Sequence, residues 1–291
     1  MQPLAVYYDV HRAVTEEPLR VREKAIQGPH EGYRDALAHR ATDFKSFFTW
    51  FRQREDEENE RKRDTPEYED RDLAAVRGAI ERFTSFTDLR IRRKPLLRMT
   101  LKKEGNEFNV MQLSDGEKCM LALVGDLARR LTLLNTGLSD PLLGSGVVLI
   151  DEIDLHLHPR WQRTVVRSLE KSFPNCQFIV STHSPQILGE LPSDAIRIIR
   201  NGRALGRPER SLGLDSSEVV EEIMMGLSRN KAVGRILERI ANYLNDDRLD
   251  RAEHSIDRLE RKVGSIPELK RARATIKSLR FNESPGDEIN S

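Results

Sequence analysis

The chain has 291 residues, a third of them charged, and its 48 basic side chains almost cancel its 47 acidic ones. This length holds one large domain or two modest ones with a real core, while the charge balance excludes an overall field for nucleic acid and leaves room only for a local basic patch. With no run of about 18 apolar residues, no signal-peptide core and two cysteines (Cys119, Cys176) in apolar surroundings without metal-type spacing, the expectation is a soluble cytoplasmic protein with reduced thiols and no membrane partner.

Leu4–Tyr8 (LAVYY) is read as a short buried strand that begins close to the first residue. Phe44, Phe47, Phe48 and Phe51 recur at helical spacing, so 43–63 is an amphipathic helix, and its second half (REDEENERKR) is expected to project into solvent. Thr65-Pro66 offers an N-cap and a proline at the first helical position, with Leu73, Val76, Ile80 and Phe83 continuing a second helix. From Leu89 to Val110 short strands follow, turning at Gly105-Asn106. The run Arg90, Arg92, Arg93 and Lys94 alternates with apolar residues, and a solvated strand face is preferred to a phosphate-binding edge.

Ser114 and Glu117 form an S-x-x-E capping box ahead of an apolar helix reaching Leu134. A Gly/Ser/Pro-rich loop, 135–146, then leads to VVLIDEIDLHLHP at 147–159. Four aliphatics running into Asp151, Glu152 and Asp154 read as a buried parallel strand with carboxylates at its carboxyl end, where ligands of α/β sheets sit. Acidic groups there can hold Mg²⁺ and orient a water. A helix from Pro159 to Lys171, a strand over 177–180, the run Ser181-Thr182-His183-Ser184, a strand over 195–200 and an Asn201-Gly202 hairpin turn complete the alternation expected of a parallel sheet. Helices over 216–227, 233–244, 248–262 and 267–279 suggest a helical subdomain, with a disordered end, NESPGDEINS.

LSDGEK at 113–118, VVLIDEID, IDLHLHP and STHSPQIL, in that order, resemble the second half of an ABC-type ATPase domain of the soluble RecF/SMC-like branch. The likeness implies an α/β fold of the P-loop NTPase kind with a mostly parallel sheet, N-terminally incomplete, carrying a helical insertion and a helical tail. It divides the chain into the remainder of an N-terminal lobe (1–88), an ATPase core (89–210) and a helical C-terminal subdomain (211–291). It implies ATP and Mg²⁺ as ligands, with Ser114, Asp115, Gly116 and Glu117 meeting the γ-phosphate of a nucleotide held by another subunit. Asp151 would bind the Mg²⁺ hydration shell, Glu152 polarise the attacking water, His183 contact the γ-phosphate and Asp154 link two sites across a homodimer or heterodimer of ATPase subunits.

The resemblance has a gap: no G-x-x-x-x-G-K-[ST] loop occurs, and the nearest approach, LLGSG at 142–146, has no lysine. A missing N-terminal lobe from another chain is therefore expected, with an exposed sheet edge in its absence. Three readings stand: the signature-bearing part of an ATPase, inactive alone; a non-catalytic module docking on an intact ATPase; and an Mg²⁺-dependent nuclease using Asp151, Glu152 and Asp154. DNA or an effector nuclease is a further partner suggested by the family likeness. His156 and His158, as H-x-H, carry a disfavoured zinc alternative.

Overall fold

The computed structural model describes residues 2–10, 28–38, 44–225 and 230–282. Its elements begin with β1 (Leu4–Tyr8), α1 (Phe44–Asp64), α2 (Arg71–Thr84), β2 (Thr87–Arg92), β3 (Arg98–Lys103) and β4 (Asn106–Asn109). Then come α3 (Asp115–Leu134), β5 (Gly146–Ile150), α4 (Pro159–Gln162), α5 (Val165–Ser172), β6 (Cys176–Val180) and α6 (Pro185–Leu188). The chain continues through β7 (Ile198–Arg200), β8 (Arg203–Gly206), α7 (Ser216–Glu222), α8 (Lys231–Asn245), α9 (Leu249–Val263) and α10 (Pro267–Asn282). The molecule divides into two units, 1–215 and 216–291.

In the first unit β1, β5 and β6 form a parallel sheet in the order β1-β5-β6, with Leu4 opposite Gly146 and Gly146 opposite Cys176. An antiparallel sheet, β2-β3-β4, and the β7-β8 hairpin stand as separate sheets. The α/β class with a parallel central sheet is the one the alternation of elements indicates. The core gathers Phe47, Phe48 and Phe51 of α1, Leu73 and Ile80 of α2, and Leu121, Leu123 and Leu127 of α3. At roughly 1.5–3 kcal/mol for each fully buried large side chain, this aromatic stripe is a main source of the unit's stability.

Three expectations are corrected. The polar half of α1 does not project freely: Glu55 and Glu58 are buried, Glu55 accepting the Ile91 amide at 3.1 Å and Glu58 accepting Arg77 at 3.0 Å and the Asp70 amide at 3.1 Å. Burial pushes the Glu55 carboxyl up, whereas Glu58, though burial opposes it, is held below its ordinary value by the Asp70 amide and Arg77. Thr65-Pro66 does not open α2; Asp70 caps it, accepting the Leu73 amide at 2.9 Å. The helix expected over 159–171 breaks at Arg163-Thr164 into α4 and α5.

The strand apolar run differs in a more telling way. Leu4, Val6, Tyr8, Val148 and Ile150 are buried, but the alternate residues face outward, Val147 at 39% exposure and Ile179 at 53%. Parallel sheets ordinarily have both faces covered. Among the described residues one face here is only partly covered, and the outer edge of β6 has no strand partner. The outer edge of β1 is partly covered, since the Tyr7 amide donates to Ala36 O at 2.8 Å.

A buried charge cluster ties β1 to α3. Asp126, fully buried, accepts from Arg129 at 2.7 Å, from Arg130 at 2.7 Å and from the Tyr8 hydroxyl at 3.1 Å. Arg130 also donates to Gly32 O and Arg34 O at 2.9 and 3.0 Å, anchoring the 28–38 segment. Burial raises the Asp126 carboxyl, and the charges of Arg130 and Arg129 outweigh it and hold it below the usual range. Burial pushes the Tyr8 hydroxyl well up, with the Asp126 charge adding to it.

In the second unit α8, α9 and α10 enclose a small core of Ile240, Ala252, Ile256, Leu259, Leu269 and Ile276. Arg273 pairs with Asp257 and Glu260, and Arg280 with Asp250 and Glu253, along the α9–α10 seam. Most of the end expected to be disordered lies outside the described residues, as does the last part of the helix expected over 216–227. Among the described residues no helix is long and apolar enough to cross a membrane.

Candidate functional site

The carboxyl ends of β5 and β6 place the acidic residues beside the hydroxyls that follow β6. The Ser181 hydroxyl donates to Asp151 Oδ1 at 2.5 Å and accepts the Glu152 amide at 2.8 Å. Asp151 N donates to Tyr8 O at 2.9 Å, and Ile153 N to Ser181 O at 3.0 Å. Asp154 Oδ1 accepts the Thr182 hydroxyl at 2.5 Å and the His183 amide at 3.3 Å. The structure thus brings together Asp151, Glu152, Asp154 and His183 at one sheet edge, as their spacing in the sequence leads one to expect. Ser181 and Thr182 escape sequence reading as site residues, because two hydroxyls after a strand are indistinguishable from ordinary turn residues.

The backbone there is unusual. Glu152 and His156 take φ of 45° and 61°, a left-handed region that side-chain-bearing residues seldom occupy. Such conformations cluster at functional sites, where the surroundings hold them in place.

The signature segment packs against the loop that follows these carboxylates, Gly116 meeting the His156 carbonyl. Ser114 N and Oγ both donate to Glu117 Oε2 at 2.9 Å, and Glu117 N returns a bond to Ser114 Oγ at 3.4 Å, completing the capping box. Lys103 Nζ pairs with Glu117 Oε1 at 2.6 Å, and Lys118 with Asp115 at 3.5 Å. Although burial opposes it, Lys103 and the Ser114 donors hold the Glu117 carboxyl below its ordinary value. Glu117 is therefore committed within the chain, and Ser114 and Asp115 are the exposed members of the motif. They line a cleft of about 1050 Å³ with Gly116, His156, His158 and Arg160. Asp151, Glu152, Asp154 and His183 are not among its lining residues.

Gly116 has a packing duty. A Cβ at this position would overlap the His156 carbonyl oxygen. Alanine favours a helix over glycine by about 1 kcal/mol, but overpacking costs about 1–3 kcal/mol, and here the obstacle is backbone that cannot rotate away. Gly116→Ala is expected to lower the urea unfolding midpoint; an unchanged or raised midpoint would show that the 153–158 loop can retreat.

Several alternatives lose their footing. His158 Nδ1 accepts the Arg160 amide at 3.2 Å as the cap of α4, so H-x-H is in part a capping device. Among the described residues no group of three or more His, Cys, Asp or Glu side chains is gathered to hold a metal ion. Mg²⁺ usually keeps several waters and needs only one or two carboxylates beside substrate phosphates, and Asp151 at the strand end fits that lesser requirement. LLGSG precedes β5, at the amino end of the strand, away from the carboxylates. The basic strand is ion-paired: Arg92 with Glu107, Arg93 with Glu55 and Asp56, and Arg90 and Lys102 with Asp88. That agrees with a solvated face. Cys119 is buried and Cys176 half-buried, and burial pushes the Cys176 thiol up to about 11, so it stays protonated at neutral pH.

The chain thus presents a parallel α/β sheet with paired carboxylates at the end of its central strand, hydroxyls and a histidine after the next, and a capped helix. The chain belongs to the family described as "AAA domain, putative AbiEii toxin, Type IV TA system", whose model matches residues 13–189. It is 39% identical over 243 residues to the "Retron Vc95 probable ATPase" of Vibrio cholerae serotype O1 biovar El Tor, a match covering 68% of this chain and 47% of that protein. It is 47% identical over 152 residues to the "Retron Ec83 probable ATPase" of Escherichia coli, covering 52% of this chain and 28% of that protein. The chain thus spans about half or less of these relatives' own lengths. Among solved structures, the SMC head domain from Thermotoga maritima aligns at 20% identity and a TM-score of 0.32, covering 50% of each chain.

Proposed function

We propose that this chain carries the signature, acidic-strand and switch-histidine elements of an ATP-hydrolysing enzyme. The observation that carries the reading is the single sheet edge where Asp151 is held by Ser181 and Asp154 by Thr182 and His183. In this reading Asp151 holds Mg²⁺ through water, Glu152 polarises the attacking water and His183 meets the γ-phosphate. Bound Mg²⁺ supplies charge neutralisation at the phosphates. Ser114, Asp115 and the first amides of α3 receive the γ-phosphate of a nucleotide held by a second subunit, identical or related. The exposure of Ser114 and Asp115 at the start of α3 supports that division, as a helix N-terminus open to a cleft suits an anion brought by a partner.

Among the described residues, the exposed Val147 and Ile179 on one face of the β1-β5-β6 sheet and the unpaired outer edge of β6 support a further part of the reading. The phosphate-cradling loop comes from polypeptide beyond these 291 residues, in the same or a separate chain, and its strand and helix complete the sheet. Calorimetry with Mg²⁺-ATP tests both parts. The 291-residue chain alone is expected to show no binding, and the chain complemented by a segment bearing G-x-x-x-x-G-K-[ST] is expected to bind and turn over ATP. Micromolar binding by the chain alone would overturn the external loop; binding without turnover in the complemented form would overturn the hydrolase.

A further inference from the structure

The loop after β5 and the segment after β6 are joined by more than Asp154. Gln162, the last residue of α4, directs its whole side-chain amide at them. Its Nε2 donates to Leu157 O at 2.9 Å and to Asp154 O at 3.4 Å, while its Oε1 accepts the Ser184 hydroxyl at 2.9 Å, nearer than the competing Gln186 Oε1 at 3.1 Å. Ser184 is the cap of α6: its Oγ accepts the Ile187 amide at 3.2 Å, and its own amide donates to Thr182 Oγ1 at 3.0 Å. Thr182 donates in turn to Asp154. The bonds close a ring, Asp154 to Thr182 to Ser184 to Gln162 and back to Asp154, with His183 inside the stretch it holds.

We infer that Gln162 is a positioning residue that fastens the 153–158 loop to the 181–188 segment, so that Asp154 and His183 move as one unit. A glutamine suits the task because one amide offers two donors and an acceptor on a single rigid plane, so both loops are gripped at fixed separation. Members of a closed hydrogen-bond network also strengthen one another, which makes the loss of one link felt by both loops. The position of Gln162 is itself set by the first loop, since α4 begins at Pro159 directly after the His158 cap. The consequence for the proposed reaction, on whose reading this part rests, is that whatever moves the 153–158 loop also moves His183.

Amide hydrogen exchange on the 291-residue chain tests the clamp without nucleotide. Gln162→Met keeps the length of the side chain and removes its donors and acceptor. Exchange is expected to rise about tenfold, the value of one net hydrogen bond, in 153–158 and in 181–188 together, with 165–172 and 176–180 unchanged. Gln162→Asn, the same amide one methylene too short, gives the same readout if the methionine variant does not fold. A rise in one segment alone, in neither, or spread through 165–180 would overturn the inference. In the complemented enzyme Gln162→Met is expected to lower kcat about tenfold at unchanged KM for ATP, since misplacement of reacting groups acts on the chemical step. A complemented enzyme with no turnover in its unaltered form would sink the ATPase reading and leave exchange to decide the clamp.

Discussion

Asp126→Ala is expected to cost the first unit about 3–5 kcal/mol, the loss seen when one partner of a buried ion pair is removed. Arg129 and Arg130 would remain buried without their counter-charge, and Tyr8 would lose its acceptor. Against a total stability of about 5–15 kcal/mol for a folded domain, that loss is severe. Urea unfolding at pH 7 measures it, and a loss under about 1 kcal/mol, the range of a surface pair, would mean that the cluster is hydrated. The pH dependence follows from the lowered carboxyl. A depressed pKa contributes stability that is present above the unfolded Asp value of about 3.9 and disappears as pH falls through the lower folded value. The difference between the unaltered chain and Asp126→Ala should therefore be flat from pH 7 to 5 and shrink only in stronger acid.

Glu152→Gln carries the largest expected effect on activity. The side chain keeps its size and loses the charge proposed to polarise water, so kcat in the complemented enzyme should fall by about 10²–10⁴, the range for a positioned acid or base. Mg²⁺-ATP binding should persist, because the proposal gives Asp151 the metal and His183 and the signature segment the phosphates. Stability should change by about 0.5 kcal/mol or less, as for other exposed or half-exposed substitutions. Turnover undiminished by the substitution would assign the water to another group. Loss of binding along with turnover would show that Glu152 holds the metal or the nucleotide.

Much of the acidic edge is legible in the sequence because its signals are local. Asp151 and Glu152 end an apolar strand, and His183 follows the next one at a distance of 31 residues, room for a helix and a strand. The Ser114–Glu117 box and the Phe44–Phe51 stripe are equally local, each set by helical spacing. What periodicity could not reveal depends on long-range pairing. Glu55 and Glu58 look like solvated residues until Arg77 and the Asp70 and Ile91 amides arrive from α2 and β2. Asp126, Arg129 and Arg130 share one side of α3 with apolar neighbours, and only Tyr8 and the Gly32 and Arg34 carbonyls explain them. The partial cover of one sheet face among the described residues is hidden for a related reason: VVLI reads the same whether one face is covered or two. The approach of Gly116 to the His156 carbonyl is likewise a fact of three dimensions, invisible to motif order.

The left-handed backbone at Glu152 and His156 sets stability against chemistry. Holding an ordinary residue in that region costs about 1–2 kcal/mol, a cost glycine escapes. A laboratory selection that rewarded heat resistance alone would therefore favour glycine at 152, enriching variants that outlast the original chain and lack the carboxylate proposed to drive its reaction. Persistence of a glutamate at such a site under that pressure would have to come from a demand for turnover.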